Sequence, residues 1–165
     1  MEHSSGTSTG VLVVKGNLDN PHHCGAIISL INEYRSDPMG GNLPLLTPEE
    51  ESALINGLKN HPVALVLLAM AGEQIVGMTV NFLGFSTFKA KNLLNIHDLI
   101  VKRNFRGSGI GRLLLTETAR FARELDCCRL TLEVRNDNAT AKRLYTSVGF
   151  GPCDDPMEFW INKIE

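Results

Sequence analysis

The sequence predicts an α/β fold built on one mixed, mostly antiparallel sheet. Three observations predict this fold. Two stretches with helical apolar spacing precede residue 60, consecutive strand patterns occupy the middle of the chain, and helix and strand alternate in the last third. Strands joined by short turns pair antiparallel, whereas strands joined by a helix lie parallel. The predicted order up to residue 150 is therefore β-α-α-β-β-β-α-β-α.

The first elements carry local start and stop signals. The apolar segment Gly10 to Lys15 indicates an edge strand. Pro21 marks the start of a helix, which ends at a stretch rich in proline and glycine. Thr47 is a typical N-cap with Pro48 at the first helical position, so a second helix is expected to run to about Lys59.

From Val63 the apolar pattern changes to that of strands. The segments Val63 to Met70, Ile75 to Phe88 and 92 to 101 are separated by short turns and predict an antiparallel meander. An amphipathic helix from about Ser108 to Leu125 follows. The strand after it, Arg129 to Val134, should lie parallel to strand 92 to 101 through a right-handed connection.

A glycine-rich loop stands between strand 92 to 101 and the helix that follows. Gly107, Gly109 and Gly111 alternate at the start of that helix, where N–H groups lack intrahelical partners and the helix dipole is positive. Glycines allow the backbone to approach an anion closely. Four basic residues surround the loop: Lys102, Arg103, Arg106 and Arg112. The pattern predicts a phosphate site for a diphosphate-bearing cofactor.

Composition limits the class of protein. A chain of 165 residues that is 43% hydrophobic can bury one sizeable core, so we expect a single domain over residues 1–165, with 1–9 flexible. A net charge of -2 argues against nucleic-acid binding. The longest apolar run, Pro62 to Ala71, is too short to span a bilayer and the start of the chain is polar, so we expect a cytoplasmic protein with no membrane partner. The cysteines show no metal-ligand spacing, and no metal is expected.

Two motifs in order raise the specificity of the prediction. The first is R-x-x-G-x-G from Arg106 to Gly111, and the second is N-x-x-A-x-x-x-Y-x-x-x-G-F from Asn138 to Phe150. Together they resemble the GNAT superfamily of acetyl-CoA-dependent N-acetyltransferases. The resemblance implies a sheet of about seven strands flanked by about four helices, in the order β-α-α-β-β-β-α-β-α-β(-β). It also implies acetyl-CoA as the acetyl donor and a primary amine, on a small molecule or a peptide, as the acceptor.

The resemblance assigns the coenzyme to three segments. Its pyrophosphate would lie on the glycine loop, its pantetheine arm along the preceding strand, and Asn138 would contact the arm or hold the adjoining loop. The loop residues are Arg106, Gly107, Ser108, Gly109, Ile110 and Gly111, with Arg112 nearby, and the strand residues are Leu99, Ile100 and Val101. Tyr145 would lie near the thioester sulfur and donate a proton to the departing thiolate.

Direct attack by an amine also requires a proton acceptor and an oxyanion site. A lysine-type amine has a pKa of about 10.4 and must lose a proton to react. His97, Asp98 or water would accept it, and since neighbours on a strand point to opposite faces, at most one of the two side chains is expected to face the cleft. A backbone N–H around Leu99 or Ile100 would stabilise the oxyanion. Some relatives that acetylate polyamines have a carboxylate pair here, and His97 departs from that pattern.

Two alternatives compete with an acetyltransferase. A dinucleotide-binding oxidoreductase is disfavoured because the third glycine of its motif would fall on Arg112 and too little chain follows. A non-catalytic domain that senses acetyl-CoA stays open, although Tyr145 favours catalysis. The sequence does not specify the amine, and homodimerisation is expected only because it is common in the superfamily.

Overall fold

The computed structural model describes residues 10–155 and 157–164, so the predicted flexible segment 1–9 lies outside it. The strands are β1 (Val11–Lys15), β2 (Ala64–Ala71), β3 (Gln74–Ser86), β4 (Lys91–Val101) and β5 (Cys127–Leu132). The helices are α1 (Pro21–Arg35), α2 (Pro48–Asn60), α3 (Ile110–Glu124) and α4 (Ala139–Thr146), with single 3-10 turns at Pro38–Gly40 and Arg103–Phe105. This order matches the prediction up to α4.

The five strands form one sheet in the order β1-β2-β3-β4-β5. All neighbours are antiparallel except β4 and β5, which are parallel, so the predicted mixed, mostly antiparallel α/β fold is confirmed. The number of strands differs from the expected seven or so. In the part of the chain that is described, residues 151–155 and 157–164 form no regular structure. Pro152 cannot donate a ladder hydrogen bond, and Phe159 and Trp160 stay exposed, so no added strand gains packing there.

Local signals account for the helix starts. Thr47 caps α2 with a capping box: its hydroxyl accepts a hydrogen bond from the Glu50 N–H at 3.2 Å, and the Glu50 carboxylate accepts one from the Thr47 N–H at 2.8 Å. The Asn20 side chain caps α1 by accepting from the His22 N–H at 2.9 Å. Gly149 follows α4 in the left-handed conformation, as predicted.

Helices cover both faces of the sheet. On one face, α1 and α2 contribute Ile27, Leu30 and Leu58 to a core with the sheet residues Val66 and Met78. On the opposite face, α3 covers alternate residues of the same strands: Leu65, Leu67, Leu94, Ala69 and Val76. We call these the α1 face and the α3 face. Burial on both faces explains why β2 is an unbroken apolar run.

No helix within the described residues is long and apolar enough to cross a membrane.

Candidate active site

A β-bulge interrupts the pairing of β3 with β4. Val80 is paired with Asp98, but the next residue of β3, Asn81, is paired with Ile96. His97 is therefore an extra residue on β4, and the alternation of side chains shifts by one position there.

The bulge turns His97 and Asp98 toward the same side of the sheet. Before it, Leu94 packs on the α3 face; after it, Leu99 and Val101 pack on that face while Ile100 packs on the α1 face. Both residues between these segments consequently point to the α1 face. The expectation that at most one of them faces the cleft is wrong, because strict alternation does not hold through a bulge.

The surroundings of these two side chains differ. The exposed imidazole of His97 packs edge-on against the Phe82 ring, with the centroids 5.5 Å apart. Asp98 is half-buried, and burial raises the pKa of its carboxyl group, while the charge of His97 opposes that shift.

Strands β4 and β5 separate immediately before His97. Their parallel pairing ends at Ile96 and Leu132, where β5 stops, whereas β4 continues to Val101. Residues 98 to 101 are paired with β3 on one side only. An open strand edge therefore borders the cavity at the predicted pantetheine residues Leu99, Ile100 and Val101.

The glycine loop after β4 has the conformation that only glycine adopts readily. Gly107 has φ +78° and Gly109 has φ +89°, and no atom lies within 4 Å of where a Cβ would stand on either residue. Gly109 also precedes α3, whose first intrahelical hydrogen bond, from Leu113 to Gly109, is 3.0 Å long. The loop is thus an open backbone surface next to a positive helix end, which fits an anion.

Gly111 has a different role from the other two glycines. A Cβ there would stand 2.9 Å from Cδ2 of Leu144 in α4. The absence of a side chain lets α4 approach α3 closely, and the Arg112 guanidinium strengthens the contact by donating to the Ser147 carbonyl oxygen at 3.1 Å. These contacts place Tyr145 beside the glycine loop.

Tyr145 is half-buried at the wall of the cavity. Burial raises the pKa of its phenol, and the nearby Tyr34 raises it further. Its phenol therefore keeps its proton at neutral pH, as a proton donor must. The Asn138 side chain fixes the start of this short helix by accepting a hydrogen bond from the Ala141 N–H at 3.0 Å.

One cavity of about 860 Å³ brings the predicted residues together. All the predicted site residues line it except Ser108, whose hydroxyl donates to the Phe105 carbonyl oxygen, and Ile110, which is buried in the core. Their side chains face away because Ser108 closes the loop and Ile110 anchors α3 to the sheet. In the described residues, no group of three His, Cys, Asp or Glu side chains is suitably placed for a metal ion.

The cavity also contains residues that the sequence did not single out as site residues. Tyr34 lies there near the end of α1, on the helix face that also packs Ile27 and Leu30 into the core, and Asp37 begins the loop that follows. The Asp37 carboxylate accepts a hydrogen bond from Arg106, at 3.1 Å. The guanidinium that was assigned to phosphate is thus bonded to a carboxylate. In the sequence, the negative charge of Asp37 is the only indication that this residue could act in the cavity.

Comparisons with known proteins show that a chain with this fold and cavity belongs to the acyltransferases. A profile of the Acetyltransferase (GNAT) family matches residues 26–150. Thialysine N-epsilon-acetyltransferase of Bos taurus is 30% identical over 135 residues, which cover 76% of this chain and 77% of that protein. Streptothricin acetyltransferase of Streptomyces lavendulae is 42% identical over 81 residues, 47% of this chain and 43% of that protein. The crystal structure of a probable acetyltransferase superimposes with a TM-score of 0.80 and 21% identity, over 93% of this chain and 99% of that one.

The chain therefore belongs to the GNAT acetyltransferase family, and it is an N-acetyltransferase. The resemblance found in the two sequence motifs is confirmed.

Proposed function

We propose that this enzyme transfers the acetyl group of acetyl-CoA to a primary amine of a small molecule, with both substrates bound in the same cavity. One observation carries the proposal: the cavity joins an open glycine loop at a helix start to Tyr145, His97 and Asp98. An anion site, a proton donor and two candidate proton acceptors are the groups that this reaction requires.

The glycine loop is the proposed pyrophosphate site. The open side of Gly107 and Gly109 leaves room for phosphate oxygens to meet the backbone N–H groups at the start of α3. The open edge of β4 would pair with the amides of the pantetheine arm, as an added strand pairs with a sheet edge. Bound acetyl-CoA would supply the acetyl group as an activated thioester.

The bulge on β4 supports the assignment of the proton acceptor. It directs both His97 and Asp98 to the α1 face, so either side chain, or a water held between them, can take the proton of the amine. Since burial raises the pKa of Asp98, its carboxylate is a stronger base than an exposed one. A backbone N–H near Leu99 would stabilise the developing oxyanion.

Tyr145 is the proposed general acid. Its position on α4 beside the glycine loop, fixed through Leu144 and Gly111, supports a location near the sulfur of the coenzyme. Its phenol would give its proton to the departing thiolate and recover it from solvent. Because burial raises its pKa, the protonated form persists across the neutral range.

The acceptor is proposed to be a cationic amine. Four carboxylates line the cavity, from Asp37, Asp98, Glu133 and Asp137. Asp37 is paired with Arg106 and Asp137 with Arg135, so Asp98 and Glu133 are the two that would favour a positively charged molecule. Two of the relatives are named for thialysine and streptothricin acetylation, which agrees with a small amine.

Three other expectations remain predictions: a single domain over residues 1–165, a cytoplasmic location and homodimerisation. Sedimentation equilibrium would test homodimerisation.

Calorimetry with acetyl-CoA and NAD tests the coenzyme assignment. We expect acetyl-CoA to bind in the micromolar range, about -8 kcal/mol, and NAD not to bind. Binding of NAD without binding of acetyl-CoA would overturn the proposal.

An acetylation screen tests the acceptor class. It should include lysine analogues, aminoglycosides, polyamines, amino acids and basic peptides, with thiol release as the readout. Turnover confined to cationic small molecules is the expected result. Turnover on peptides alone would move the acceptor to a peptide amine, and binding of acetyl-CoA without any turnover would favour a sensor of the coenzyme.

A further inference from the structure

Asp37 connects two loops that both border the cavity. It lies directly after α1, at the start of the loop Asp37 to Leu46, and its side chain is only 12% exposed. Oδ1 accepts a hydrogen bond from the Met39 N–H at 3.0 Å, within its own loop. Oδ2 accepts one from Arg106 at 3.1 Å and lies 3.8 Å from the Arg103 guanidinium, both near the glycine loop.

The loop that begins at Asp37 is built on that residue. The N–H groups of Gly40 and Asn42 both donate to the Asp37 carbonyl oxygen, at 2.8 and 3.2 Å. A Cβ on Gly40 would stand 1.8 Å from the Tyr34 carbonyl oxygen, so the loop packs directly against the end of α1. A displacement of Asp37 would consequently move the first half of the loop, residues 37 to 42. We call the loop Asp37 to Leu46 the acceptor loop, because its first residues border the cavity where the acceptor is proposed to bind.

The coenzyme side of the connection is equally well defined. The Arg106 Nε–H donates to the Val101 carbonyl oxygen at 3.0 Å, which holds the side chain across the start of the glycine loop. The neighbouring Arg103 N–H donates to the Glu33 carboxylate at 2.6 Å, a second contact between α1 and this segment. One carboxylate of α1, from Glu33, and one of the following loop, from Asp37, thus bind the segment that leads into the glycine loop.

The energetics favour a connection that is kept in the folded protein. A buried carboxylate without a partner is costly, so Asp37 and Arg106 tend to move together. The hydrogen bond from the Met39 N–H, followed by Arg106, lowers the pKa of the Asp37 carboxyl group, which stays ionised at neutral pH.

We propose that Asp37 is a positioning residue that couples coenzyme binding on the glycine loop to the order of the acceptor loop. The inference rests on the proposed coenzyme site. When the glycine loop is held by a bound pyrophosphate, Arg106 is held with it, and Asp37 transmits that order to the acceptor loop. Coupling of this kind is reciprocal, so an acceptor that orders the loop should also tighten coenzyme binding.

Hydrogen exchange measures this coupling without knowledge of the acceptor. The readout is exchange of the Gly40 and Asn42 amides, both hydrogen-bonded to the Asp37 carbonyl oxygen, with and without saturating acetyl-CoA. In the wild type we expect acetyl-CoA to slow their exchange at least about fivefold. In Asp37→Asn saturated with acetyl-CoA, the same amides should exchange almost as fast as they do in that variant without acetyl-CoA. The amides of α3 should stay protected from exchange.

Two further variants complete the test. Asp19→Asn is the matched control, because Asp19 is also an aspartate paired with a cation, Lys59, but lies outside this cavity. It should behave as the wild type. Arg106→Gln breaks the same contact from the other side and should uncouple the loops without adding to the effect of Asp37→Asn. If Asp37→Asn does not fold, Arg106→Gln still tests the proposal.

The outcomes separate this inference from the proposed function. Failure of the wild type to bind acetyl-CoA would reject the coenzyme site itself. Binding of acetyl-CoA with no protection of the acceptor loop, or with the same protection in Asp37→Asn and Arg106→Gln, would reject only the role of Asp37. Partial recovery of protection in Asp37→Glu would support a role for the charge and not merely for the packing of the loop.

Discussion

Replacement of Gly109 by alanine separates the structural role of the glycine loop from its proposed binding role. Gly109 has φ +89°, and an alanine there would pay a backbone cost of about 1–2 kcal/mol. For a chain of this size, that cost should lower the melting temperature by about 2–8 °C. Gly72 in the turn between β2 and β3 offers a matched control, since its φ is +60° and its Cβ position is also open.

The two variants should differ in coenzyme binding. The methyl group of Gly109→Ala would stand in the open space beside the start of α3, where the pyrophosphate is proposed to lie. We expect its affinity for acetyl-CoA to fall at least about tenfold, which is about 1.4 kcal/mol. Gly72→Ala should lose similar stability and bind as the wild type does, because Gly72 does not line the cavity.

Thermal melts and calorimetric titrations with acetyl-CoA provide the comparison. If Gly109→Ala loses stability but binds acetyl-CoA within about twofold of the wild type, the pyrophosphate does not lie on this loop. If Gly72→Ala loses affinity to the same extent, the effect arises from general destabilisation and the reasoning fails.

Two other substitutions concern the proposed catalytic groups Tyr145 and Asp98. Tyr145→Phe should lower kcat by roughly 10²–10⁴ with little change in acetyl-CoA affinity, because it removes only the proposed proton donor. Steady-state kinetics measures both quantities, and an unchanged kcat would end the assignment of Tyr145. Asp98→Asn should be more stable than the wild type near neutral pH and lose that advantage in acid. The pKa of Asp98 is raised in the folded state, so the stabilisation from its protonated form is complete below its unfolded pKa of about 3.9 and disappears as the pH rises through its folded value. Urea unfolding in acid and at neutral pH would measure this, and a less stable Asp98→Asn at neutral pH would contradict it.

The helix starts and the order of elements were predictable because their causes are local. The Thr47 capping box, the position of Pro21 and the left-handed Gly149 each depend on residues within one or two turns. The two motifs located the cavity for the same reason, since each lies on one loop or one helix. The two motifs lie close in space because each follows one of the two neighbouring parallel strands, β4 and β5.

The rest of the site depends on contacts that a single sequence does not reveal. The bulge leaves one sign in the sequence, the two adjacent polar residues His97 and Asp98, and such a pair does not by itself distinguish a bulge from a regular strand. Asp37 and Arg106 are far apart in the chain and meet only because α1 packs across the end of β4. The expected strands after α4 followed from the resemblance and not from the residues themselves, and residues 151–155 and 157–164 do not form them.

The point at which β4 and β5 separate has a consequence for handling the protein. Beyond Ile96, β4 presents an edge that β5 does not cover, with apolar residues beside it. Such an edge can template pairing between molecules, which is a route to aggregation. If the pantetheine arm lies along this edge, coenzyme A added to the buffer should shield it. Purification and storage with the coenzyme should then yield more monodisperse protein than the same steps without it.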